Sequence, residues 1–217
     1  MYNMMTENAY NRFPNLDTIE DRIIYYLISE KGKTPDQLKK VHNIWKILYY
    51  SDINALNKEL PTQTDISNLV DKDDEDKTNK RIFKSPFIDT AWTVECSMLK
   101  IYIDSVIPTN NKLSVVNVGI DIVTHNKITN VYVADDDDST IIDIVDGIPI
   151  TVQCKNRVDI LLQSILYLLN GADIAGVGRM QFNYELSRYN QARYSLWNNR
   201  YYGGFKMCIG CQCGGVQ

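Results

Sequence analysis

Three cysteines close to the C-terminus have the spacing at which side chains could hold a metal ion. Cys208, Cys211 and Cys213 fall within six residues, and thiolates in such a cluster can bind zinc or copper. A closed structural zinc site needs a fourth ligand, however, and no other Cys or His lies near them in the sequence. The sequence therefore predicts no metal there, and a flexible Gly-rich tail with incidental cysteines is the expected structure.

Acidic residues suggest two other metal sites, but neither has the required pattern. The run Asp135–Asp138 is dense in oxygen ligands, yet it lacks the alternating spacing and the distal Glu of a helix–loop–helix calcium site. Asp104 and Asp121 fall on neighbouring predicted strands, as in a two-metal nuclease, but no Glu-x-Lys motif follows them. We therefore expect no bound metal and no cofactor.

The remaining motifs also argue against enzyme chemistry. The two histidines, His42 and His125, are predicted to be polar surface or turn residues. The sequence contains no Gly-x-Ser-x-Gly, no His-Glu-x-x-His and no phosphate loop. Gly171, Gly176 and Gly178 follow a predicted helix, which is the reverse of the order in a dinucleotide-binding fingerprint. The chain is thus predicted not to be an enzyme.

Composition restricts the class of protein. The 217 residues are 44% apolar and 23% charged, which suits a globular chain of one domain with an appendage. A net charge of −4 does not suit a general nucleic-acid binder. The five cysteines form a poor disulfide framework, and no signal peptide or membrane-spanning run is evident. We expect a soluble protein from a reducing compartment that makes no membrane contact.

Charge is distributed unevenly along the chain. Acidic runs lie at 71–76 and 135–138, whereas the C-terminal part is basic and aromatic. A dipolar subunit of this kind could stack on an oppositely charged neighbour. The alternative is that these runs are two solvated loops and a positively charged face.

Residues 1–70 are predicted to be helical. Asp17 and Glu20 have the spacing of a capping box at the start of a first helix. Thr34 is expected to cap a second helix whose first position is Pro35. The apolar positions that recur at helical spacing are Leu16, Ile19, Ile23 and Leu27 in the first helix, and Leu38, Val41, Trp45 and Leu48 in the second.

A hydrophilic linker at 71–80 separates this segment from a region with strand-like periodicity. The period-2 alternation predicts strands over 81–84, 93–104, 113–124 and 127–134, then a helix over 158–169 and further strands. The expected fold is α+β, with an N-terminal helical segment followed by an antiparallel β-sheet with one helix packed on it. The predicted segments are 1–70 helical, 71–80 acidic linker, 81–207 α+β domain and 208–217 Cys/Gly-rich tail.

Several short stretches resemble the neck or head–tail connector proteins of tailed bacteriophages. They are Ile19–Tyr26, Asn43–Tyr50, Lys80–Phe83, Asp121–Asn126, Arg157-x-Asp159, Leu169–Gly171 and Gly176–Phe182. The resemblance implies a structural virion protein of the head-completion, stopper or tail-terminator type, with no catalytic residues. Its implied partners are other copies of the chain in a ring, a portal or adaptor protein on one side and a tail protein on the other. DNA would pass through the ring without sequence-specific contacts.

A ring subunit needs contact residues for its neighbours and a surface that faces the DNA. Tyr, Trp and Arg are the residue types that dominate protein interfaces. The candidate interface residues are Trp45, Tyr49, Tyr189, Arg193, Trp197, Arg200 and Tyr201, with ordinary packing within the subunit as the alternative. Negative charge in a lumen would let DNA slide without sticking, and the candidates for that acidic loop are Asp135, Asp136, Asp137 and Asp138.

Two other functions stay open on the sequence. One is a small metal-dependent enzyme of the nuclease type, which would carry bound metal after purification. The other is a non-viral protein-binding module that uses the N-terminal helical hairpin to hold its partner. In the second case, removal of residues 1–70 should abolish binding while residues 80–207 still fold.

Overall fold

A computed structural model gives the fold, and the residues it describes are 18–72, 77–85, 94–108, 113–132, 140–146, 148–152, 154–181, 189–196 and 200–214. The helices are α1 (Ile19–Ile28), α2 (Pro35–Tyr49), α3 (Gln63–Asn68) and α4 (Arg157–Leu169). The strands are β1 (Ile82–Phe83), β2 (Ser97–Pro108), β3 (Leu113–His125), β4 (Asn130–Tyr132), β5 (Thr140–Val145), β6 (Ile148–Val152), β7 (Cys154–Asn156), β8 (Asp173–Ile174), β9 (Gly178–Gln181), β10 (Tyr189–Leu196) and β11 (Arg200–Gly214). This arrangement confirms the predicted α+β class.

The start of α2 confirms the predicted cap. The Thr34 hydroxyl accepts a hydrogen bond from the backbone N–H of Gln37, and the Gln37 side chain accepts from the backbone N–H of Thr34. Pro35 occupies the first helical position, where its missing N–H removes no helix hydrogen bond. The cap is local in sequence, which is why it could be predicted.

The prediction that Glu20 takes part in the cap of α1 is wrong. The helix begins after Thr18, which makes no side-chain capping bond, and Asp17 lies outside the described residues. The Glu20 carboxylate instead accepts a hydrogen bond of 3.0 Å from the backbone N–H of Ile103 on β2. Burial raises the pKa of Glu20, and the bond from Ile103 opposes that shift. Glu20 therefore connects the helical segment to the sheet.

The main sheet has seven strands, in the order β1-β2-β3-β11-β9-β8, with β10 also paired to β11. The pairing is antiparallel except between β1 and β2. The register between β2 and β3 shifts between Ile103 and Ser105, where β2 has a bulge. Two smaller two-stranded sheets are formed by β4 with β7 and by β5 with β6.

One hydrophobic core joins the helices to the main sheet. Alternate positions of β3 from Val116 to Ile122 are fully buried against it, as the period-2 pattern predicted. The same core contains apolar residues of α1, α2 and α4, so the N-terminal helices pack on the sheet of their own chain. No helix in the described part of the chain is long and apolar enough to cross a membrane.

The region predicted to be a tail begins inside the longest strand. β11 runs to Gly214 and pairs with β3 from Leu113 to His125. The cysteines Cys208, Cys211 and Cys213 therefore lie in a strand and not in a flexible tail. The backbone of this segment forms ladder hydrogen bonds with β3, which accounts for the extended structure despite the glycines.

Candidate functional site

The polar residues that come closest to a catalytic arrangement form a buried ion pair on the face of β3 opposite the helices. Lys100 on β2 and Asp121 on β3 are direct partners in the register. The Lys100 Nζ lies 3.3 Å from the Asp121 Oδ2, and the two residues are 1% and 3% exposed. The Tyr102 hydroxyl donates to the other carboxylate oxygen at 3.2 Å. Both oxygens of Asp121 are thus engaged inside the protein.

Gly119 makes room for the tyrosine that completes this cluster. Tyr102 lies directly opposite Gly119 in the register, and a Cβ built on Gly119 would be 2.5 Å from two carbons of the Tyr102 ring. Any other residue at 119 would displace the ring and its hydroxyl. Glycine at this point is therefore a packing requirement of the Asp121 site and not a turn signal.

Two more polar pairs extend along the same two strands. The Asn117 side-chain amide donates to the Ser105 hydroxyl at 2.9 Å, and the Thr124 hydroxyl donates to the Ser97 hydroxyl at 3.2 Å. Buried polar groups cost free energy unless they are bonded, so each pair favours only the register that brings its members together. By strand alternation the Asn117–Ser105 pair lies on the same face of β3 as Asp121, and the Thr124–Ser97 pair lies on the other face. Together with the ion pair, they can fix the alignment of β2 with β3.

The two aspartates weighed as a nuclease pair are not brought together. Asp104 is exposed at the β2 bulge, several register positions away from Asp121, which is buried and bonded to Lys100. Within the described residues, no group of three or more His, Cys, Asp or Glu side chains could hold a metal. The arrangement around Asp121 suits charge neutralisation and not metal binding.

The strand register also separates the three C-terminal cysteines. Cys208, Cys211 and Cys213 lie opposite Gly119, Val116 and Ser114 of β3 respectively. Because successive residues of a strand alternate between the two faces of the sheet, position 208 falls on one face and positions 211 and 213 on the other. The backbone register therefore does not place the three positions on one face of the sheet.

Arg157 is a buried structural anchor that the sequence analysis did not identify. Its side chain is 0% exposed, and its Nη1 donates to the carbonyl oxygens of Ile47 at 3.2 Å and Tyr50 at 2.7 Å. Its Nη2 donates to the carbonyl oxygen of Asp52. These carbonyls lie at and after the C-terminal end of α2, where the helix has no partners for them. Burial lowers the pKa of Arg157, and the charge of Asp52 opposes that shift.

One signal in the sequence could have revealed this role. Arg157 is the first residue of α4, immediately after the N-cap Asn156, whose side chain accepts from the backbone N–H of Val158. Positive charge in the first turn of a helix opposes the helix dipole. An arginine at that position is therefore better explained by a bond elsewhere than by its own helix.

The prediction that Trp45 contacts a neighbouring subunit is wrong. It is 2% exposed, and its indole N–H donates to the carbonyl oxygen of Ile28 at 3.1 Å. The Gln63 side chain donates to the same oxygen at 3.2 Å. The apolar stripe of α2 needs this large ring inside the core, where it also closes the end of α1. Tyr49 remains 40% exposed, with its ring edge-on to Tyr50.

Four of the other candidates lie on the hairpin of β10 and β11. Tyr189 and Arg193 are in β10, and Arg200 and Tyr201 begin β11, where they pair with the end of β10. The structure thus brings these four positions into one hairpin. Trp197 and the acidic loop Asp135, Asp136, Asp137 and Asp138 lie outside the described residues, and their predicted roles stay predictions.

The two histidines differ from each other. His42 is partly exposed and its Nε2 lies 2.6 Å from the Glu30 carboxylate. His125 was predicted to be a polar surface or turn residue. It is only 1% exposed, so the prediction of a surface position was wrong. It ends β3, and its Nδ1 accepts from the backbone N–H of Lys127. The resulting 3₁₀ turn, Asn126–Ile128, replaces the start of the strand that was predicted from 127.

Lys33 provides a pH-dependent prediction. Its Nζ lies 3.0 Å from the centroid of the Tyr26 ring, is buried, and makes no hydrogen bond to a described atom. Burial lowers the pKa of Lys33 to about 8 from an ordinary 10.5. The unfolded chain therefore binds more protons than the folded chain between about pH 8 and 10.5, so stability should rise with pH across that window.

This gain should be small, on the order of 1 kcal/mol or less, because the residue is only half-buried and solvent screens it. Urea unfolding at several pH values up to about 10 measures it. The series stops there because burial raises the pKa of Tyr26, which reverses the trend at higher pH. Burial also lowers the pKa of Lys46, which contributes to the same rise, so a Lys33→Met variant should show a smaller rise than wild type. A variant with the wild-type pH dependence would exclude Lys33 as a source of the rise.

Comparison with models of protein families identifies a relationship over most of the chain. The model of a family described as YomW matches residues 42–210, which is well over half of the chain. The match includes the C-terminal half of α2 from His42 onward, the polar pairs of β2 and β3, and Arg157. A search of curated proteins found no match.

Proposed function

The chain belongs to the YomW family, which is phage-associated, and we propose that it is a structural protein of the phage neck. In this proposal, copies of the chain form a ring that joins the portal or an adaptor protein to the tail. The observation that carries it is the family match, which extends from the helical segment through the sheet. The protein acts in the virion, after assembly in the host cytoplasm.

The contacts of the buried polar groups support a structural role over a catalytic one. Lys100, Asp121 and Tyr102 bond to one another, and Arg157 bonds to backbone carbonyls. General acid–base catalysis needs such groups within reach of a substrate, and these four are buried. Their arrangement stabilises the fold, and a structural subunit of a ring needs a stable fold.

Passing DNA is the second part of the proposal. A ring between head and tail encloses the DNA path, and the acidic run 135–138 is the segment that we propose faces it. Repulsion between these carboxylates and the phosphates would keep DNA from adhering to the wall. Contact with DNA would then be independent of its sequence.

Removal of the chain from the phage is the decisive experiment. A phage with the gene deleted should produce DNA-filled heads and separate tails, with infectious particles reduced by about three orders of magnitude or more, because the two parts cannot join. Electron microscopy and plaque counts measure this outcome. Mass spectrometry should also detect the chain in purified wild-type particles.

Expression of the wild-type chain in trans is the control and should restore joined particles. The Asp121→Asn variant cannot serve as a control for chemistry, because it is expected to weaken the fold. Normal particles from the deletion phage, together with absence of the chain from wild-type particles, would contradict the neck proposal. Those results would favour the nuclease or the binding-module alternative.

A further inference from the structure

A groove with a volume of about 500 Å³ lies between α1 and residues 173–175, at β8. The α1 wall begins at Thr18 and includes the side chains of Tyr25 and Tyr26. The surface of the groove is largely apolar, and Tyr25 is 60% exposed. Ligand sites are typically concave and mostly apolar, with volumes of about 300–1,000 Å³. The groove therefore has the size and character of a binding site.

Arg22 holds the two walls of the groove together. Its Nη1 donates to the carbonyl oxygen of Ala175 at 2.8 Å, and its Nε donates to the Thr18 hydroxyl at 3.2 Å. Gly176 has a φ of +71° to +80° in common with the other glycines of tight turns, and a Cβ at this position would lie 2.5 Å from the Arg22 Nη1. Glycine at 176 thus lets the guanidinium lie against the turn. The groove is therefore a preformed feature of the fold.

The chain enters the groove from the N-terminal side of α1. Thr18 lies in the wall, and residues 1–17 precede it in the sequence. From Thr18 to Tyr26, this wall is about 12 Å long at about 1.5 Å per residue. An extended chain spans about 3.3 Å per residue, so about four residues can run the length of the wall. A segment tethered at this point has an effective concentration in the millimolar range, which favours it over a free partner.

The residues just before Thr18 have side chains that suit this groove. Tyr10 and Phe13 provide large aromatic groups for an apolar surface. Pro14 and Asn15, which follow Phe13, are residue types that favour a turn. A turn is needed there if the segment is to return along α1. The sequence therefore supplies both the apolar groups and the turn residues that occupation of the groove requires.

Charge also fits this occupant. Arg12 is the only charged residue between 8 and 16. The charged side chains that line the groove are Asp21, Asp173 and Arg22. Asp21 lies 3.2 Å from the Lys84 ammonium, and Arg22 is bonded to the opposite wall. Asp173 is exposed, so it is the side chain that we expect to attract Arg12.

We propose that residues 10–16 of the same chain fold back along α1 and occupy this groove, with Phe13 against Tyr25 and Arg12 close to Asp173. The inference is independent of the proposed ring, since it concerns a contact within one subunit. Exposed apolar surfaces of this kind bind other proteins. The N-terminal segment is therefore a built-in competitor for any protein that docks on this side of α1.

Cross-linking from position 13 tests the contact directly. A benzophenone amino acid replaces Phe13 in the full-length chain, which is then mixed with ¹⁵N-labelled wild-type chain and irradiated. Mass spectrometry should find cross-links from this position to residues 21–26 or 173–175 of the same, unlabelled copy. Cross-links to the labelled copy would make a second copy the occupant and overturn the inference. Cross-links only to other residues, or none at all, would overturn it too.

Chemical labelling of tyrosines provides a second test. Tyr25 and Tyr167 are 60% and 51% exposed in the structure, and their phenol rings have the same intrinsic reactivity. If the groove is occupied most of the time, hydroxyl-radical labelling of Tyr25 should be at least about threefold slower than that of Tyr167. Phe13→Asp should bring the two rates within about a factor of two, because occupation would then bury a charge. Mass spectrometry of the full-length chain measures both rates.

Asn8→Asp is the matched control, because it adds the same charge to the N-terminal segment outside 10–16. It should leave both labelling rates unchanged. Equal rates at Tyr25 and Tyr167 in the wild-type chain would show that the groove is open and would refute the contact. A rise at both tyrosines in Phe13→Asp would mean that the whole subunit loosens, which would also count against it. Neither measurement depends on assembly, so absence of the chain from phage particles would refute the ring and leave this contact standing.

Discussion

Replacement of Arg157 by alanine should lower the free energy of unfolding by about 3–5 kcal/mol, a loss at the upper end for a single substitution. The guanidinium donates to the carbonyl oxygens of Ile47, Tyr50 and Asp52, and each buried carbonyl left without a donor costs about 1–3 kcal/mol. Water can enter the space and satisfy some of them, which keeps the total below the sum. Urea unfolding followed by circular dichroism measures the change.

Arg157→Lys separates charge from geometry. A lysine keeps the positive charge but has one ammonium group, which cannot reproduce the planar fork of the guanidinium. It should recover only part of the lost stability. Arg179 on β9 is exposed, so Arg179→Ala should change stability by no more than about 0.5 kcal/mol. A loss below about 1 kcal/mol for Arg157→Ala would show that α2 does not depend on this anchor.

Local signals in the sequence identified the elements whose stabilising contacts are also local. Thr34 and Gln37 are three residues apart, and their reciprocal bonds require only the first turn of α2. The apolar residues at every second position of β3 could also be recognised in the sequence, because one face of the strand must pack on the core. In both cases, the residues that determine the structure are neighbours in the sequence.

The contacts that join distant parts of the chain could not be predicted in the same way. Glu20 has the spacing of a capping residue, but its carboxylate bonds to Ile103, 83 residues away. Trp45 is of a type common at interfaces, yet the packing of α1 on α2 places it in the core. Residue type and local spacing do not specify which of two satisfactory partners a side chain will meet.

The same reasoning applies to the C-terminal strand. The glycines and cysteines of residues 208–217 favour a tail on composition, whereas the structure pairs residues 208–214 with β3 as far as Leu113. The edge of β3 that does not pair with β2 provides backbone donors and acceptors for another strand, and amino-acid composition does not reveal this. The residues opposite Gly119 and Asp121 can be identified only once this register is known.

The buried ion pair gives the second large effect. Asp121→Asn should lower the free energy of unfolding by about 3–5 kcal/mol, because it removes the charge that neutralises a buried lysine. The Lys100 ammonium lies 3.3 Å from that carboxylate and its side chain is 2% exposed. The asparagine has nearly the same volume and can still accept a hydrogen bond from Tyr102. The loss of stability would therefore result from the missing charge and not from altered packing. Urea unfolding at neutral pH measures it.

A double variant shows whether the pair contributes stability or only specificity. Lys100→Met with Asp121→Leu replaces both charges by apolar groups, and such replacements are often neutral or stabilising. We expect it to unfold within about 1 kcal/mol of wild type and to be much more stable than Asp121→Asn alone. If the pair selects the register, hydrogen exchange along β2 and β3 should be faster in the double variant despite its stability, because other alignments of the two strands are no longer penalised. Equal exchange would assign the pair no role in register, and a loss as large as that of the single variant would mean that the charges themselves stabilise the fold.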